Sequence, residues 1–492
     1  MRRVEPRQLR LVYADSPEGG GEDRISGGPE GREFLLQMAG AREATGSTAT
    51  AADGLLEEVA SPRNLALALL RVARKKGAGG VDGMSVDEVV AASRRLLPNL
   101  HRDLLRGRYQ PGDVRRVWIP KPGGGRRGLG IPNVVDRWVQ QAVHQVLMPL
   151  FDPGFHPSSH GFRPRRGAET AMAEARRYVA EGRTTIVSVD LSKFFDRVNH
   201  QRLLARLSQK VDDRDLLRLI HRMLKAAVVM PDGTRVSMDE GTPQGGPLSP
   251  LLSNIVLDEL DWELERRGLR FVRYADDFNV FVSSERAGER VMANLTQYIT
   301  KRLRLKVNTD KSTVTRPEDV HFLGFSLLRR DDGSVEVVLS RRSRKRIDAK
   351  IRELTPRSLG RPLETCIQRI NEYLEGWYSH FRLCTLAAQR SFNTLDAHIR
   401  RRLRAIVVRQ RKRPRYLFRH LVKRGVSVRA AARVAWCDRG TWHKSNRPGM
   451  TRGYPNAWFH ARLFSLQNAL ERQYAEPTVP SQPLLAGLEI PT

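Results

Sequence analysis

The sequence has few cysteines, few acidic residues for its number of basic ones, and no long apolar run. Three cysteines among 492 residues, Cys366, Cys384 and Cys437, stand far apart without a CxxC pair, which argues against a disulfide framework or a zinc knuckle. No stretch approaches the ~18 apolar residues of a membrane-spanning helix. The apolar run Leu9–Tyr13 is too short for the core of a signal peptide. These absences favour a reducing cytosol.

The deficit of acidic residues leaves a large positive charge. The chain has 85 Lys and Arg against 54 Asp and Glu, a formal net charge of +31 and a pI of about 10.9. A charge of this sign attracts polyanions, of which nucleic acids and anionic membranes are the candidates. Because no membrane-spanning run is present, we expect a nucleic-acid partner and no membrane.

Two adjacent aspartates stand between two apolar, β-rich runs. Asp276 and Asp277 follow Leu269–Val272 and precede Phe278–Val282. At a hairpin tip both carboxylates can face one site, where their repulsion raises a pKa and a divalent cation would neutralise them. Aspartate is also common in polar β-turns, so the pair alone is equally consistent with a turn that binds no metal.

A third carboxylate, Asp190, ends the strand-like run Thr185–Val189. If this run neighbours the hairpin, Asp190, Asp276 and Asp277 converge into a site for two Mg²⁺ ions, about 3.5–4 Å apart. One ion would activate a primer 3′-hydroxyl and the other would hold a triphosphate. Mg²⁺ is preferred to Mn²⁺ on ligand hardness and availability. Phe195 could lie under the sugar of the incoming nucleotide and exclude a 2′-OH, although a core position is the commoner role of such a residue.

These residues carry a family resemblance. Tyr274–Asp277 together with Asp190–Phe195 resembles the catalytic motifs of reverse transcriptases, and the order of further blocks resembles the group II intron-encoded reverse transcriptases, or maturases. Those blocks are Gly77–Met84, Val117–Pro122, Arg127–Pro132, Asp136–Arg137, Ser159–Pro164, Gly241–Pro250, Lys306–Ser312 and Phe322–Phe325, followed in the C-terminal part by Asn371–Trp377, Arg400–Arg404 and Pro455–Phe459. The resemblance therefore extends almost to the end of the chain.

The alternation of β-rich and helical segments, with the resemblance, predicts an α/β right-hand polymerase. Its fingers and palm would combine an antiparallel sheet with helices, and an α-helical thumb and maturase region would follow. The expected segments are a disordered extension at 1–53 with one short helix near 32–38, a helical extension of the fingers at 54–112, fingers and palm at 113–330, a thumb and maturase domain at 331–430, and a basic region that contacts DNA at 431–492.

Two loops and one lysine complete the predicted nucleotide site. Lys121 and Arg127 flank a basic, glycine-rich tip suited to a triphosphate, although such loops are more often solvated turns. The resemblance places Gln244, in the rigid Gly241–Pro250 block, against the template base or the nucleotide. Lys311 would protonate the leaving pyrophosphate as a general acid, although a surface position is the commoner role of a lysine.

A basic run is predicted to bind RNA. His398–Arg424 contains twelve Lys and Arg and no acid, and these like charges repel unless a polyanion neutralises them. A solvated charged face is the alternative. The predicted contacts are Arg400, Arg401, Arg402, Arg404, Arg411, Lys412 and Arg413. Two departures from the family pattern stand out: Val407–Arg411 lacks the tryptophans of many members, which puts base stacking there in doubt, and Gly128 replaces a common proline, which would loosen the fingers loop.

The resemblance implies an RNA-directed DNA polymerase that binds group II intron RNA, assists its splicing as a maturase and copies it from a DNA primer during retrohoming. Its substrates would be dNTPs, its target DNA, and its location the bacterial cytosol or nucleoid. No C-terminal Cys/His cluster of an HNH endonuclease is present, so second-strand cleavage is not expected. A free-standing reverse transcriptase of repair or phage defence is the alternative. A pure RNA-binding cofactor is disfavoured, because Asp190, Asp276, Asp277 and Gln244 are intact.

Overall fold

The computed structural model describes residues 29–40, 54–120, 124–356, 360 and 362–475. Lys121 and most of the expected disordered extension lie outside the described residues. The chain divides into two compact units, residues 1–315 and 316–492. The predicted end of the palm at residue 330 lies within the second unit, and this boundary stays a prediction.

The first unit contains eleven described helices and two four-stranded sheets. Its helices are α1 Pro29–Gly40, α2 Leu55–Ala60, α3 Pro62–Arg74, α4 Val86–Ala91, α5 Ser93–Leu105, α6 Val134–Phe151, α7 Ala168–Ala180, α8 His200–Leu207, α9 Arg214–Leu224, α10 Ser249–Arg266 and α11 Glu285–Lys301. Its strands are β1 Val114–Pro120, β2 Arg126–Ile131, β3 Thr185–Val189, β4 Val228–Val229, β5 Arg235–Val236, β6 Arg270–Tyr274, β7 Asp277–Val282 and β8 Thr313–Thr315.

The palm sheet has the strand order β6-β7-β3-β8, and every neighbouring pair is antiparallel. Its strands are rich in β-branched and aromatic residues, which favour a pleated, buried surface. The fingers sheet has the order β2-β1-β4-β5, with a parallel pairing of β1 and β4. The predicted α/β fold with an antiparallel palm sheet is confirmed.

The N-terminal helices pack as part of this unit. In α1 the Leu35 side chain is fully buried in the hydrophobic core, so residues 29–40 are ordered where the sequence had suggested one short helix within a disordered extension. The backbone N–H of Leu56 in α2 donates to Asp213 Oδ2 at 2.7 Å, at the start of α9. A hydrogen bond as well as apolar contacts therefore connect the N-terminal helices to α9.

The second unit is mostly helical, as predicted. A hairpin of β9 Phe325–Arg329 and β10 Val335–Leu339 precedes the helices α12 Arg341–Leu354, α13 Leu363–Phe381, α14 Gln389–Gln410, α15 Pro414–Lys423, α16 Val428–Ala435, α17 Thr441–Lys444, α18 Pro448–Gly453, α19 Asn456–His460 and α20 Leu466–Ala475. Asp396 of α14 accepts hydrogen bonds from the N–H groups of Leu466 and Gln467 at the start of α20. The region from 431 to 475 thus packs into the same unit as the thumb helices. None of the described helices has both the length and the apolar character needed to cross a bilayer.

Candidate active site

The paired aspartates lie at the tip of the β6–β7 hairpin. Tyr274 and Asp277 are the last cross-strand pair, so Ala275 and Asp276 form a two-residue turn. Ala275 has a φ of 58°, a left-handed conformation that few residues with a side chain adopt. The tight turn keeps the apolar strands in the core while both carboxylates remain at its tip.

The neighbouring strand brings the third carboxylate to this tip. Val189, the last residue of β3, pairs with Phe278 in the antiparallel ladder with β7. One residue further along, Asp190 comes next to Asp277. Opposite residues on antiparallel strands have Cβ atoms about 4.5–5.5 Å apart, so the structure brings the three predicted carboxylates into one neighbourhood.

The loop before β8 holds Asp190 in place. The backbone N–H of Asp190 donates to Ser312 Oγ at 3.1 Å, and its carbonyl accepts from the N–H of Asn308 at 2.8 Å. The same loop carries Lys311, whose Nζ lies 3.7 Å from Asp190 Oδ2. The lysine is therefore at the carboxylate cluster, and its side chain remains more than half exposed.

The three carboxylates perturb one another electrostatically. Desolvation, and then the charge of Asp190, raises the pKa of Asp276. Desolvation and the charges of Asp276 and Asp190 raise the pKa of Asp277 to about 7, against the opposing effect of Lys311 and Arg127. The Asp277 side chain reaches solvent, yet protein atoms surround it closely enough to weaken its hydration. Burial is thus the main cause of both shifts, and repulsion between the carboxylates adds to it.

The chemistry of these donors suits a divalent cation. Carboxylate oxygens are the ligands that Mg²⁺ prefers, and a cation would relieve the repulsion between them. Among the described residues, however, no group of three or more His, Cys, Asp or Glu side chains is arranged around a common metal position.

Three of the predicted nucleotide-binding residues, Arg127, Phe195 and Gln244, lie on segments that contact one another, and Arg127 acts electrostatically on the cluster. Arg127 lies in β2 opposite Ile119, and its charge reaches both hairpin aspartates, since it lowers the pKa of each. The carbonyl of Gln244 accepts the N–H of Gly130 in β2 at 2.9 Å. The N–H of Thr242 donates to the carbonyl of Phe195 at 2.6 Å. Hydrogen bonds thus connect the loop of Gln244 both to β2 and to the segment that follows Asp190.

Two details differ from the sequence interpretation of these residues. Phe195 is half-buried, with its ring centroid 5.3 Å from that of the buried Phe194. Its ring therefore packs against the core on one side and keeps contact with solvent on the other. Gly128 lies within the regular strand β2, opposite Trp118, and does not loosen the loop. A Cβ at Gly128 would come 2.6 Å from Arg116 Nη1, so the space beside this glycine is filled by an arginine side chain.

The predicted RNA contacts need correction, because part of the basic run faces the interior of the second unit. Arg404 is buried, and its Nε and Nη2 donate to the carbonyl of Tyr454 at 3.0 and 2.8 Å. Arg400, also buried, lies one helical turn earlier on α14; desolvation lowers the pKa of Arg400, and the charge of the neighbouring buried Asp396 opposes this shift. Both guanidinium groups are therefore largely enclosed within the second unit.

The other predicted RNA contacts are either half-buried against protein groups or exposed to solvent. Arg401 lies 4.0 Å from the ring centroid of Trp442, and Arg402 Nη2 donates to the carbonyl of Thr355 at 2.7 Å. Past the end of α14, Arg411 is half-buried, while Lys412 and Arg413 are exposed. The sequence could not show this division, because the partners of the inward-facing arginines come from distant segments.

Sequence reasoning missed a buried ion pair beneath the hairpin. Arg273 and Asp261 are both fully buried, and Arg273 Nη2 donates to Asp261 Oδ2 at 2.5 Å. Arg273 is also the residue directly before the Tyr274–Asp277 motif. An arginine within an apolar strand was the signal available in the sequence.

Two protein families match parts of this chain. The family described as "Reverse transcriptase (RNA-dependent DNA polymerase)" matches residues 119–327, and the family "Group II intron, maturase-specific domain" matches residues 344–425. Protein YkfC of Escherichia coli is 32% identical over 317 residues, which cover 56% of this chain and 83% of that protein. Group II intron-encoded protein LtrA of Lactococcus lactis is 27% identical over 327 residues, 53% of this chain and 54% of LtrA.

Among solved structures, the partial Cas6-RT-Cas1--Cas2 complex is 25% identical to this chain, with a TM-score of 0.33 and coverage of 50% of this chain and 42% of that one. The present chain spans about half the length of LtrA. The two family matches cover the carboxylate cluster and the basic helical region, respectively. The chain therefore belongs to the group II intron-encoded reverse transcriptases, which are RNA-directed DNA polymerases with a maturase domain.

Proposed function

We propose that this protein extends a DNA primer on an RNA template by two-metal nucleotidyl transfer. The register of β3 against β7, which makes Asp190 and Asp277 neighbours, is the observation that carries the proposal. Asp190, Asp276 and Asp277 would hold two Mg²⁺ ions, which when bound activate the primer hydroxyl and stabilise the leaving pyrophosphate. The raised pKa values of Asp276 and Asp277 support it, because burial and the neighbouring carboxylates disfavour the ionised forms, and a bound cation would offset both effects.

The other residues of the site bind and orient the nucleotide. Arg127 binds phosphate oxygens of the dNTP through its guanidinium group. Gln244 contacts the template base or the nucleotide, and Phe195 lies against the sugar and excludes a 2′-OH. Lys311, exposed beside Asp190, donates a proton to the leaving pyrophosphate. Lys121, outside the described residues, is proposed as a second triphosphate ligand.

We further propose that the protein binds group II intron RNA, assists its splicing and reverse transcribes it during retrohoming into DNA. The match of residues 344–425 to the maturase-specific domain supports this assignment. Lys412 and Arg413 are exposed and Arg401, Arg402 and Arg411 are half-buried, so these five are the proposed RNA contacts that keep solvent access. Such contacts would be made largely with phosphates and 2′-hydroxyls, and the RNA itself would carry the splicing chemistry.

Primer extension tests the polymerase assignment. A DNA primer annealed to an RNA template is incubated with dNTPs and Mg²⁺, and the wild-type protein is compared with the Asp276→Ala/Asp277→Ala variant. The wild type should extend the primer, and the variant should give no product while still binding primer–template. Asp212→Ala, which removes an exposed carboxylate elsewhere in the same unit, is the matched control and should remain active. Equal extension by all three proteins would refute the proposal.

A splicing assay tests the maturase assignment separately. The precursor RNA carries the group II intron domains expected on either side of the gene, and excision is followed at a Mg²⁺ concentration too low for the RNA to splice alone. The wild-type protein should accelerate excision, and Asp276→Ala/Asp277→Ala should do so equally well, because those side chains act in polymerisation. A polymerase that extends primers but never accelerates splicing would instead support the free-standing reverse transcriptase.

A further inference from the structure

The segment Ser158–Gly161 lies between the hairpin strand β6 and helix α7 and forms hydrogen bonds with both. On one side, the N–H of Arg273 donates to the carbonyl of Ser158, and the N–H of His160 donates to the carbonyl of Arg273, both at 2.9 Å. On the other side, His160 Nε2 lies 2.7 Å from Glu174 Oε2 of α7, and Ser158 Oγ donates to Glu174 Oε1 at 2.8 Å. The backbone of Arg273 is therefore held by residues 158–161, and Glu174 of α7 holds that segment in turn.

The Arg273 side chain makes a second set of bonds in the core. Its Nε and Nη2 donate to both carboxylate oxygens of Asp261 in α10, at 2.5–3.0 Å. Its Nη1 donates to Asn254 Oδ1, also in α10, and to the carbonyl of Ala275, both at 2.9 Å. One guanidinium group thus connects a helix of the core to the turn that carries Asp276.

The turn is also confined from its other side. Asn254 Nδ2 donates to the carbonyl of Gly161 at 2.9 Å, and a Cβ built on Gly161 would come 2.3 Å from the backbone nitrogen of Ala275. No side chain fits between these two segments. The left-handed φ of Ala275 costs conformational free energy, so it persists only where surrounding contacts hold it.

We propose that Arg273 is a positioning residue for polymerisation, which holds the Ala275 carbonyl and so fixes the turn that carries Asp276 and Asp277 beside Asp190. The inference rests on the proposed polymerase site and adds to it a group that touches neither substrate nor ions. A purely structural ion pair would need only the bond to Asp261. The additional bond to Ala275 gives this arginine its effect on the reaction.

The test replaces the buried pair by apolar side chains. Arg273→Met/Asp261→Leu removes both charges together, and such exchanges commonly preserve the fold. For addition of a single dNTP, kcat should fall on the order of 10²-fold, because misplaced catalytic groups lower the chemical step. The KM for dNTP, the primer–template affinity and the melting temperature should stay close to those of the wild type.

The matched control removes another ion pair from the same helix. Glu259 of α10 pairs with Arg206 and Arg202 of α8 and accepts from the Tyr298 hydroxyl of α11, so its bonds among the described residues lead away from the hairpin. Arg206→Met/Glu259→Leu should therefore keep the wild-type kcat. A folded Arg273→Met/Asp261→Leu protein with wild-type kcat would overturn the inference, and so would an equal loss of kcat in the control.

If the Arg273→Met/Asp261→Leu protein does not fold, a second pair of variants tests whether contacts at the Ala275 turn affect the reaction. Gly161→Ala pushes a methyl group against Ala275 and should lower kcat, whereas Gly167→Ala, with no atom within 4 Å of its added Cβ, should not. Equal kcat values for these two variants would overturn the inference. If the wild-type protein does not extend a primer, that result refutes the proposed polymerase function itself. Loss of activity in Asp276→Ala/Asp277→Ala, with full activity in all positioning variants, overturns only the role of Arg273.

Discussion

Replacing Asp277 by asparagine should stabilise the ligand-free protein at neutral pH while it abolishes primer extension. Desolvation and the charges of Asp276 and Asp190 raise the pKa of Asp277 to about 7, so its ionised form is disfavoured in the folded state. Asparagine has nearly the same shape and no charge. The substitution therefore removes repulsion from the cluster together with a proposed metal ligand.

The pH dependence of this gain follows from the two states of the carboxyl group. In the folded protein Asp277 keeps its proton up to about pH 7, whereas in the unfolded chain it ionises near the ordinary value of 3.8. The folded state binds more protons in this interval, so the free energy of unfolding of the wild type falls as the pH rises through it. The variant should gain nothing below about pH 4 and most above about pH 7.

Solvent limits the size of the effect. The Asp277 side chain is exposed, so we expect a gain of only about 1 kcal/mol, or about 2 °C in melting temperature. Thermal unfolding followed by circular dichroism in EDTA, from about pH 4 to about pH 8, measures it. Asp212→Asn, an exposed carboxylate away from the cluster, should show no such dependence. A gain of equal size at every pH, or a loss at neutral pH, would refute the electrostatic reasoning.

Further predictions concern the nucleotide site and the basic run. Lys311→Ala should lower kcat about 10²-fold with little change in primer–template affinity, as measured by single-turnover extension; an unchanged kcat would exclude the general acid role. Phe195→Val should raise incorporation of ribonucleotides relative to deoxyribonucleotides in competition assays. Arg404→Met should lower the melting temperature, because it leaves the buried carbonyl of Tyr454 without its donor. Arg413→Ala should leave the melting temperature unchanged but weaken RNA binding and its salt dependence; equal RNA affinity would exclude that contact.

The sequence predicted the elements of the catalytic site better than their mutual arrangement. The apolar, β-rich runs on both sides of Asp276 and Asp277 indicated a hairpin, and the structure has one at this place. The pairing of β3 with β7 depends on contacts between distant segments, which local patterns do not encode. The sequence could therefore propose that Asp190 joins the hairpin, and only the ladder register shows which aspartate it faces.

The sequence did not show which charged side chains are buried, or which groups they bind. The basic run was read as one cationic face, yet Arg404 turns inward because it meets a carbonyl of Tyr454, fifty residues further along the chain. Likewise, nothing near Arg273 in sequence shows that Asp261 and Asn254 receive its guanidinium group. A charged side chain can occupy a core only where its partners come from elsewhere in the fold. Their positions cannot be inferred from spacing.

The number of divalent ions in the assembled polymerase complex tests the central claim most directly. Bound Mn²⁺, in place of Mg²⁺, is counted by electron paramagnetic resonance in a complex of protein, RNA template, dideoxy-terminated DNA primer and matching dNTP. The wild type should hold two ions per complex, and Asp190→Asn should hold fewer while it still binds primer–template. The same number of ions in both proteins would contradict the claim that Asp190, Asp276 and Asp277 together form the metal site.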